Sequence, residues 1–218
     1  MSIIFMGYYI LFLIAGYILG SFPTAYLVVK KFTGKDIRKE ETGNVGAMNT
    51  ARVTGKFYLF FIVFFVDALK GFLAMLIPWS LLNAGNFDPT IAYTLAAFGA
   101  VLGHCFSIYF KIIDGKFAGG KAVSTMAGIL LFVDWFHLLV PICIFMLLVA
   151  AVTRNFFASQ FFAALVLPII ALLLAPIYFP LTLLCVIPIL YKQSSRVIPF
   201  LKGKEPKLYF KPKSKIKE

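Results

Sequence analysis

The stretch Thr42-Gly43-Asn44-Val45-Gly46-Ala47-Met48-Asn49-Thr50-Ala51-Arg52-Val53-Thr54-Gly55-Lys56 has the residue types to hold an anion. Glycine bends the chain without a Cβ penalty, and bent backbone turns successive N–H groups inward, a concavity suited to phosphate. Arg52 can fork onto the same group with paired donors. A second stretch, Gly119-Gly120-Lys121, stands at the start of an apolar run. Backbone amides at a helix start and one ammonium suit the same ligand. Each stretch also reads as an ordinary basic turn between helices, and local composition leaves both readings open. Asp67 and Lys70 are three apart, so they share a helix face and can pair, with Lys70 in reach of a head-group site. His104 closes an apolar run just before the second basic stretch. It offers an acid, a base, a phosphate ligand or a structural hydrogen bond. Gly115 and Gly120 have the spacing of a nucleotide-binding loop, but Ala122 follows Lys121 and no strand precedes it, which excludes nucleotide hydrolysis.

These groups need a scaffold, and composition names it. Of 218 residues, 61% are hydrophobic and only 14% charged. Soluble domains carry roughly a quarter charged residues. A chain this apolar needs a bilayer as solvent. The net charge of +12 does not mark a nucleic-acid binder, because the cations cluster between apolar runs as topology determinants. Cys105, Cys143 and Cys185 are far apart, lack metal or redox spacing, and read as small buried hydrophobes. The N-terminal run has no basic leader or small-residue cleavage site, so it reads as a retained first helix.

Apolar runs occupy about 3–29, 57–82, 91–110, 122–133, 138–152 and 156–190. The last is too long for one helix, and Pro176 with Pro180 should divide it. Pro23 should kink the first, freeing a carbonyl that Ser21 or Thr24 could satisfy. The loops at 30–56, 111–121 and 153–155 and the tail from 192 hold every Lys and Arg except Lys70, whereas those at 83–90, 134–137 and 176–180 hold none. The alternation predicts an all-α polytopic bundle of about seven transmembrane helices, with the N-terminus outside and the C-terminus cytoplasmic. It is one domain over 1–218 with a basic cytoplasmic tail over 192–218. Both glycine-rich loops then share the cytoplasmic face and can converge on a ligand with a phosphate head and an apolar chain.

The motifs resemble those of the bacterial acyl-phosphate:glycerol-3-phosphate acyltransferases. Gly20-Ser21-Phe22-Pro23-Thr24-Ala25-Tyr26, Thr42-Gly43-Asn44 through Arg52, and Asp67-Ala68-Leu69-Lys70-Gly71 match the first motif region. Leu102-Gly103-His104 followed by Gly119-Gly120-Lys121-Ala122-Val123 matches the second. The resemblance implies a seven-helix enzyme of the inner membrane, working at the cytoplasmic face without metal or cofactor. It would move an acyl group from an acyl phosphate to the 1-hydroxyl of glycerol 3-phosphate, giving lysophosphatidic acid and phosphate. Thr42, Arg52 and Lys121 would be catalytic. Ser21, Gly43, Asn44, Gly46, Asn49, Lys70, His104, Gly119 and Gly120 would bind substrate or phosphate. The expected partners are the two substrates and membrane lipid, with no nucleic acid, and the protein is expected to act as a monomer.

Three departures stand out. Glu41-Thr42 stands where the family has Gly-Ser, keeping a hydroxyl but adding a negative charge beside the phosphate site, extra residues around 113–117 precede Gly119, and the C-terminal motif is altered. There Gln193, Arg196 and Pro199 stand where the family has His, Asn and Arg, and only Gly203 and Glu205 match. The altered C-terminal motif motivates a diverged member with another acceptor. The same scaffold could also serve a transporter or binder of phosphorylated solutes. Transporters place broken helices at the midplane in matching halves, whereas here the glycine-rich elements lie at one face and no repeat is visible.

Overall fold

A computed structural model describes residues 3–81 and 88–205. The predicted turn at 83–90 and the basic tail therefore lie partly outside the described residues. The chain is an all-helical polytopic membrane bundle. Five stretches among the described residues are long and apolar enough to cross a membrane: Met6–Thr33, Tyr58–Leu81, Trp135–Thr153, Phe156–Leu174 and Pro176–Leu201. Pro89–Cys105 and Val123–Val133 are shorter apolar helices.

The first run is two helices, α1 (Ile3–Ser21) and α2 (Thr24–Thr33). Pro23 has no N–H for the Leu19 carbonyl, and the Phe22 N–H takes that carbonyl at 3.3 Å. Neither Ser21 nor Thr24 fills that role, contrary to expectation. The first basic segment then folds into a 3₁₀ turn, Ile37–Lys39, and α3 (Ala47–Thr54), so part of the predicted glycine-rich loop is helical. A small apolar cluster of Ala25, Val29, Ile37, Val45, Ala47, Val63 and Phe110 pins it to the bundle. Arg38 adds a clamp, pairing with Asp36 at 2.6 Å and Asp114 at 2.5 Å while its guanidinium sits 4.6 Å over the Phe110 ring. That guanidinium holds Asp36 below the usual carboxylate range.

Next come α4 (Tyr58–Leu81), α5 (Pro89–Cys105), the short α6 (Ile108–Asp114) and α7 (Val123–Val133). The sequence suggested one run over 91–110, but the helix stops at Cys105. The reason is local: the Ser107 N–H donates to the Ala118 carbonyl at 2.9 Å and its hydroxyl to the Ser21 carbonyl, drawing the backbone out of the helix. A π-helical turn, Trp135–Leu139, leads into α8 (Val140–Thr153), with the Asp134 carboxylate accepting the His137 N–H at 2.9 Å. The last long run divides where Pro176 predicted, into α9 (Phe156–Leu174) and α10 (Phe179–Gln193). A 3₁₀ turn and α11 (Val197–Leu201) follow.

Helix α1 packs along α5, α4 along α7, and α9 against α8 and α10. Lipid tails are as apolar as the side chains, so close van der Waals approach drives this packing, which favours small residues. A Cβ on Gly103 would run into the Tyr17 carbonyl and the Ser21 backbone, and one on Gly128 into the Ala68 carbonyl. The glycines are what permit these crossings.

Candidate active site

The site grows from the short α3. Its N-cap is Gly46, which supplies no side-chain acceptor, so the first amides of the helix lack a capping side chain and are oriented for an anion. Ahead of it the chain turns at Gly43, whose positive φ of 66° suits glycine and whose N–H bonds the Glu40 carbonyl at 2.9 Å. Asn49 fastens the turn to the helix. Its carbonyl oxygen accepts from the Thr42 hydroxyl at 3.0 Å, and its NH₂ reaches the Ile37 and Glu40 carbonyls at 3.3 Å each. In the last turn of α3, Arg52 is 5% exposed.

Opposite stands Lys121, just before α7. Its ammonium lies 3.5 Å from the Gln160 side-chain oxygen and 5.3 Å over the Phe157 ring. Both partners are positioned by Asn155, whose side chain caps α9 by accepting from the Phe157 and Ala158 N–H groups at 2.9 and 3.1 Å. Burial lowers Lys121 to about 7; Arg196 and Arg52 push the same way and Glu205 opposes them.

Between these walls is a cleft with about 230 Å³ of solvent-sized space. Of the sequence-predicted residues it gathers Thr42, Asn44, Gly46, Asn49, Arg52, His104 and Lys121. Gly43 does not line it. Ser21, Lys70, Gly119 and Gly120 line a smaller adjoining cavity, which shares Asp67 and His104 with the cleft. The Gly119–Gly120 backbone differs most from expectation. The Gly120 N–H donates to the His104 carbonyl at 3.0 Å rather than pointing into the cleft. A Cβ on Gly119 would strike the His104 and Cys105 carbonyls, and one on Gly120 the His104 ring and the Val45 carbonyl. These glycines let the loop pass against His104.

Ser21 likewise braces the fold. It is fully buried, its hydroxyl accepts the Ile108 N–H at 3.4 Å, and its carbonyl receives Ser107. Lys70 pairs with Asp67 at 2.7 Å and donates to the Phe22 carbonyl at 2.8 Å, beside the break that Pro23 makes. His104 Nδ1 lies 3.5 Å from the Lys70 ammonium and 3.2 Å from the Thr125 hydroxyl. A donor-only ammonium beside Nδ1 assigns that nitrogen as acceptor and places the proton on Nε2.

The sequence did not single out Asp67, Phe157, Gln160, Arg196 or Glu205 as cleft residues, yet all line it. Asn155 after Thr153-Arg154 was a legible cap signal for the helix that carries two of them. An apolar groove adjoins the cleft. It is lined by Met126, Leu130, Ile142, Ala163, Leu167 and Ile189 among others, and it shares Phe64, Val123, Met146 and Gln160 with the cleft.

Residues 10–203 match the model of the glycerol-3-phosphate acyltransferase family. The chain is 35% identical to the glycerol-3-phosphate acyltransferase of Staphylococcus haemolyticus over 203 residues, covering 91% of this chain and 97% of that one. It is 36% identical to that of Lactiplantibacillus plantarum over 208 residues, covering 92% of each. Its fold superposes on crystal structures of PlsY, an integral membrane glycerol 3-phosphate acyltransferase. The glycerol 3-phosphate form gives a TM-score of 0.74 at 26% identity, covering 92% of this chain and 96% of that one. The lysophosphatidic acid form gives 0.71 at 26% identity, covering 93% and 96%. With its sequence matched by the family model over residues 10–203 and by relatives over nearly its whole length, this chain belongs to the glycerol-3-phosphate acyltransferase family.

Proposed function

We infer that the chain is a multi-pass membrane acyltransferase that acylates the 1-hydroxyl of glycerol 3-phosphate, with an acyl phosphate as donor and lysophosphatidic acid and phosphate as products. The observation that carries this reading is the continuity of a cationic cleft with an apolar groove through Phe64, Val123, Met146 and Gln160. A phosphate head bearing an acyl chain has that shape and polarity.

The seven-helix arrangement, with the N-terminus outside and the basic loops in the cytoplasm, follows from the distribution of Lys and Arg. On that topology the cleft opens to the cytoplasm, and the family's bacterial relatives support an inner-membrane location.

Arg52 and Lys121 neutralise the two phosphates. The leading amides of α3, with Asn44 and Gly46 beside them, hold a phosphoryl oxygen. Thr42 and Asn49 keep that helix start in register, and the Thr42 hydroxyl orients the donor. Lys70, Gly119 and Gly120 support the site through His104, whose Nε2–H is available as a donor, and Ser21 supports it by bracing the Ser107–Ile108 turn. The acceptor hydroxyl oxygen attacks the acyl carbon, the bond from that carbon to the phosphate oxygen breaks, and phosphate leaves with the electron pair. The hydroxyl proton passes to the acceptor's own phosphate. Phosphate is a competent leaving group, so positioning and charge stabilisation supply much of the rate. No cofactor is called for.

The test is phosphate release by purified protein given palmitoyl phosphate, with and without glycerol 3-phosphate. Release that requires glycerol 3-phosphate and yields lysophosphatidic acid upholds the reading. Consumption of palmitoyl phosphate unaffected by glycerol 3-phosphate would identify a different acceptor, and binding without turnover would favour a non-enzymatic binder.

A further inference from the structure

In the sequence Arg196 is a departure from the C-terminal motif. It ends the 3₁₀ turn Ser194–Arg196 and lines the cleft that Arg52 also lines. Its guanidinium lies 5.6 Å from the centroid of the Phe157 ring, the ring that also supports the Lys121 ammonium at 5.3 Å. One aromatic side chain therefore presents two cations to one cavity. Glu205 holds the arginine from the far side. Nε donates to one carboxylate oxygen at 3.2 Å and Nη2 to the other. The Glu205 side chain is 5% exposed and the Arg196 side chain 23% exposed, so the pair is anchored in protein at its acidic end and open at its basic end.

Two features indicate a ligand. A guanidinium has five N–H donors, and Glu205 engages two of them, leaving the rest of the fork for an acceptor in the cavity. The charge balance agrees. Two phosphate groups, each carrying close to two negative charges, must share a cleft whose other cations are Arg52 and Lys121 and whose wall includes Asp67. Glu205 neutralises Arg196 while the cleft is empty, and a phosphate dianion competes well with a carboxylate for bidentate N–H donors.

Resting on the acyltransferase reading above, we propose that Arg196 is a third phosphate ligand of this cleft, oriented by Glu205 and Phe157, and that it binds the phosphate of one of the two substrates. It stands in the altered C-terminal motif of this chain, and its partner Glu205 is a positioning residue.

The experiment compares Arg196→Gln, Glu205→Gln and the double variant as full-length protein in detergent, measuring KM and kcat for palmitoyl phosphate and for glycerol 3-phosphate. Arg196→Gln raises KM for one phosphate substrate by about 10- to 100-fold with kcat changed much less, the loss expected of a charge-assisted forked bond. The substrate whose KM moves identifies the phosphate. Glu205→Gln loosens the hold on the guanidinium and raises KM for that same substrate, by less than Arg196→Gln does, while KM for the other substrate stays put. The double variant separates binding from bracing, because it leaves no buried carboxylate unpaired: its thermal stability recovers while its KM stays raised. A double variant with wild-type KM for both substrates overturns the proposal, since Arg196 would then serve only to satisfy Glu205. Calorimetry with inorganic phosphate tests the same point without turnover. Weaker binding to the double variant than to wild type upholds Arg196 as a ligand even if the acceptor proves not to be glycerol 3-phosphate, and equal binding overturns it.

Discussion

Lys121 should make substrate affinity pH-dependent in a way arginine would not. With the group lowered to about 7, only about a tenth of the empty sites carry a charged lysine at pH 8. A bound phosphate dianion restores the charge, because an opposite charge within a few ångströms favours the ionised form. Binding then takes up about 0.9 proton at pH 8, and the affinity penalty scales as one plus ten to the power of pH minus 7. Between pH 7 and pH 9 that factor grows about 50-fold, while the phosphate, with its second pKa near 6, is already doubly charged. KM for the phosphate substrate that contacts Lys121 should rise by that order. Lys121→Arg, charged throughout the range, should flatten the profile even if it weakens binding at pH 7. The assay is initial-rate phosphate release across pH 7–9, paired with calorimetry in buffers of different ionisation heat to count the protons. A flat wild-type profile, or an equal slope in Lys121→Arg, would refute the argument. Linkage also sets a sign for stability. The folded pKa lies below the ordinary lysine value of 10.5, so the unfolded chain binds more protons between pH 7 and 10.5. The contribution of Lys121 to stability therefore increases with pH across that window.

Three further outcomes are expected. Gly103→Ala should cost about 1–3 kcal/mol, because its methyl would force α1 and α5 apart at the Tyr17 carbonyl and the Ser21 backbone; an unchanged melting temperature in detergent would contradict the close crossing. Ala163→Phe, which fills the apolar groove, should raise KM for palmitoyl phosphate at least tenfold and spare an eight-carbon donor; an unaltered chain-length profile would move the acyl chain elsewhere. His104→Gln keeps an N–H near the Nε2 position and should retain activity within about tenfold, whereas His104→Ala should lose about a hundredfold. Equal, complete loss in both variants would indicate that His104 is the proton acceptor.

How much of this was legible in the sequence depends on the range of the interaction involved. Composition required a membrane, because 61% hydrophobic residues cannot be hidden from water in a chain of this length. Proline divided the apolar runs at Pro23 and Pro176 because the missing N–H acts within its own turn. Thr42, Asn44, Gly46, Asn49 and Arg52 lie within eleven residues on a turn and the helix it starts, so their arrival in one cleft follows from local geometry.

Tertiary packing decided the rest. The end of α5 at Cys105 depends on Ser107 reaching Ser21, and the place of Gly119 and Gly120 on His104, Cys105 and Val45. The sequence alone assigned those two glycines to phosphate, whereas their lack of a side chain serves a close passage of backbone. Phe157 and Gln160 sit in a run with no polar periodicity to mark them, and Arg196 stands in a motif that looked merely degraded. Only the meeting of α3, the segment just before α7 and the segment after α10 put the three cations around one cavity. Like charges gather at such a place because three distant stretches of chain are held there by apolar packing, which spacing along the sequence does not encode.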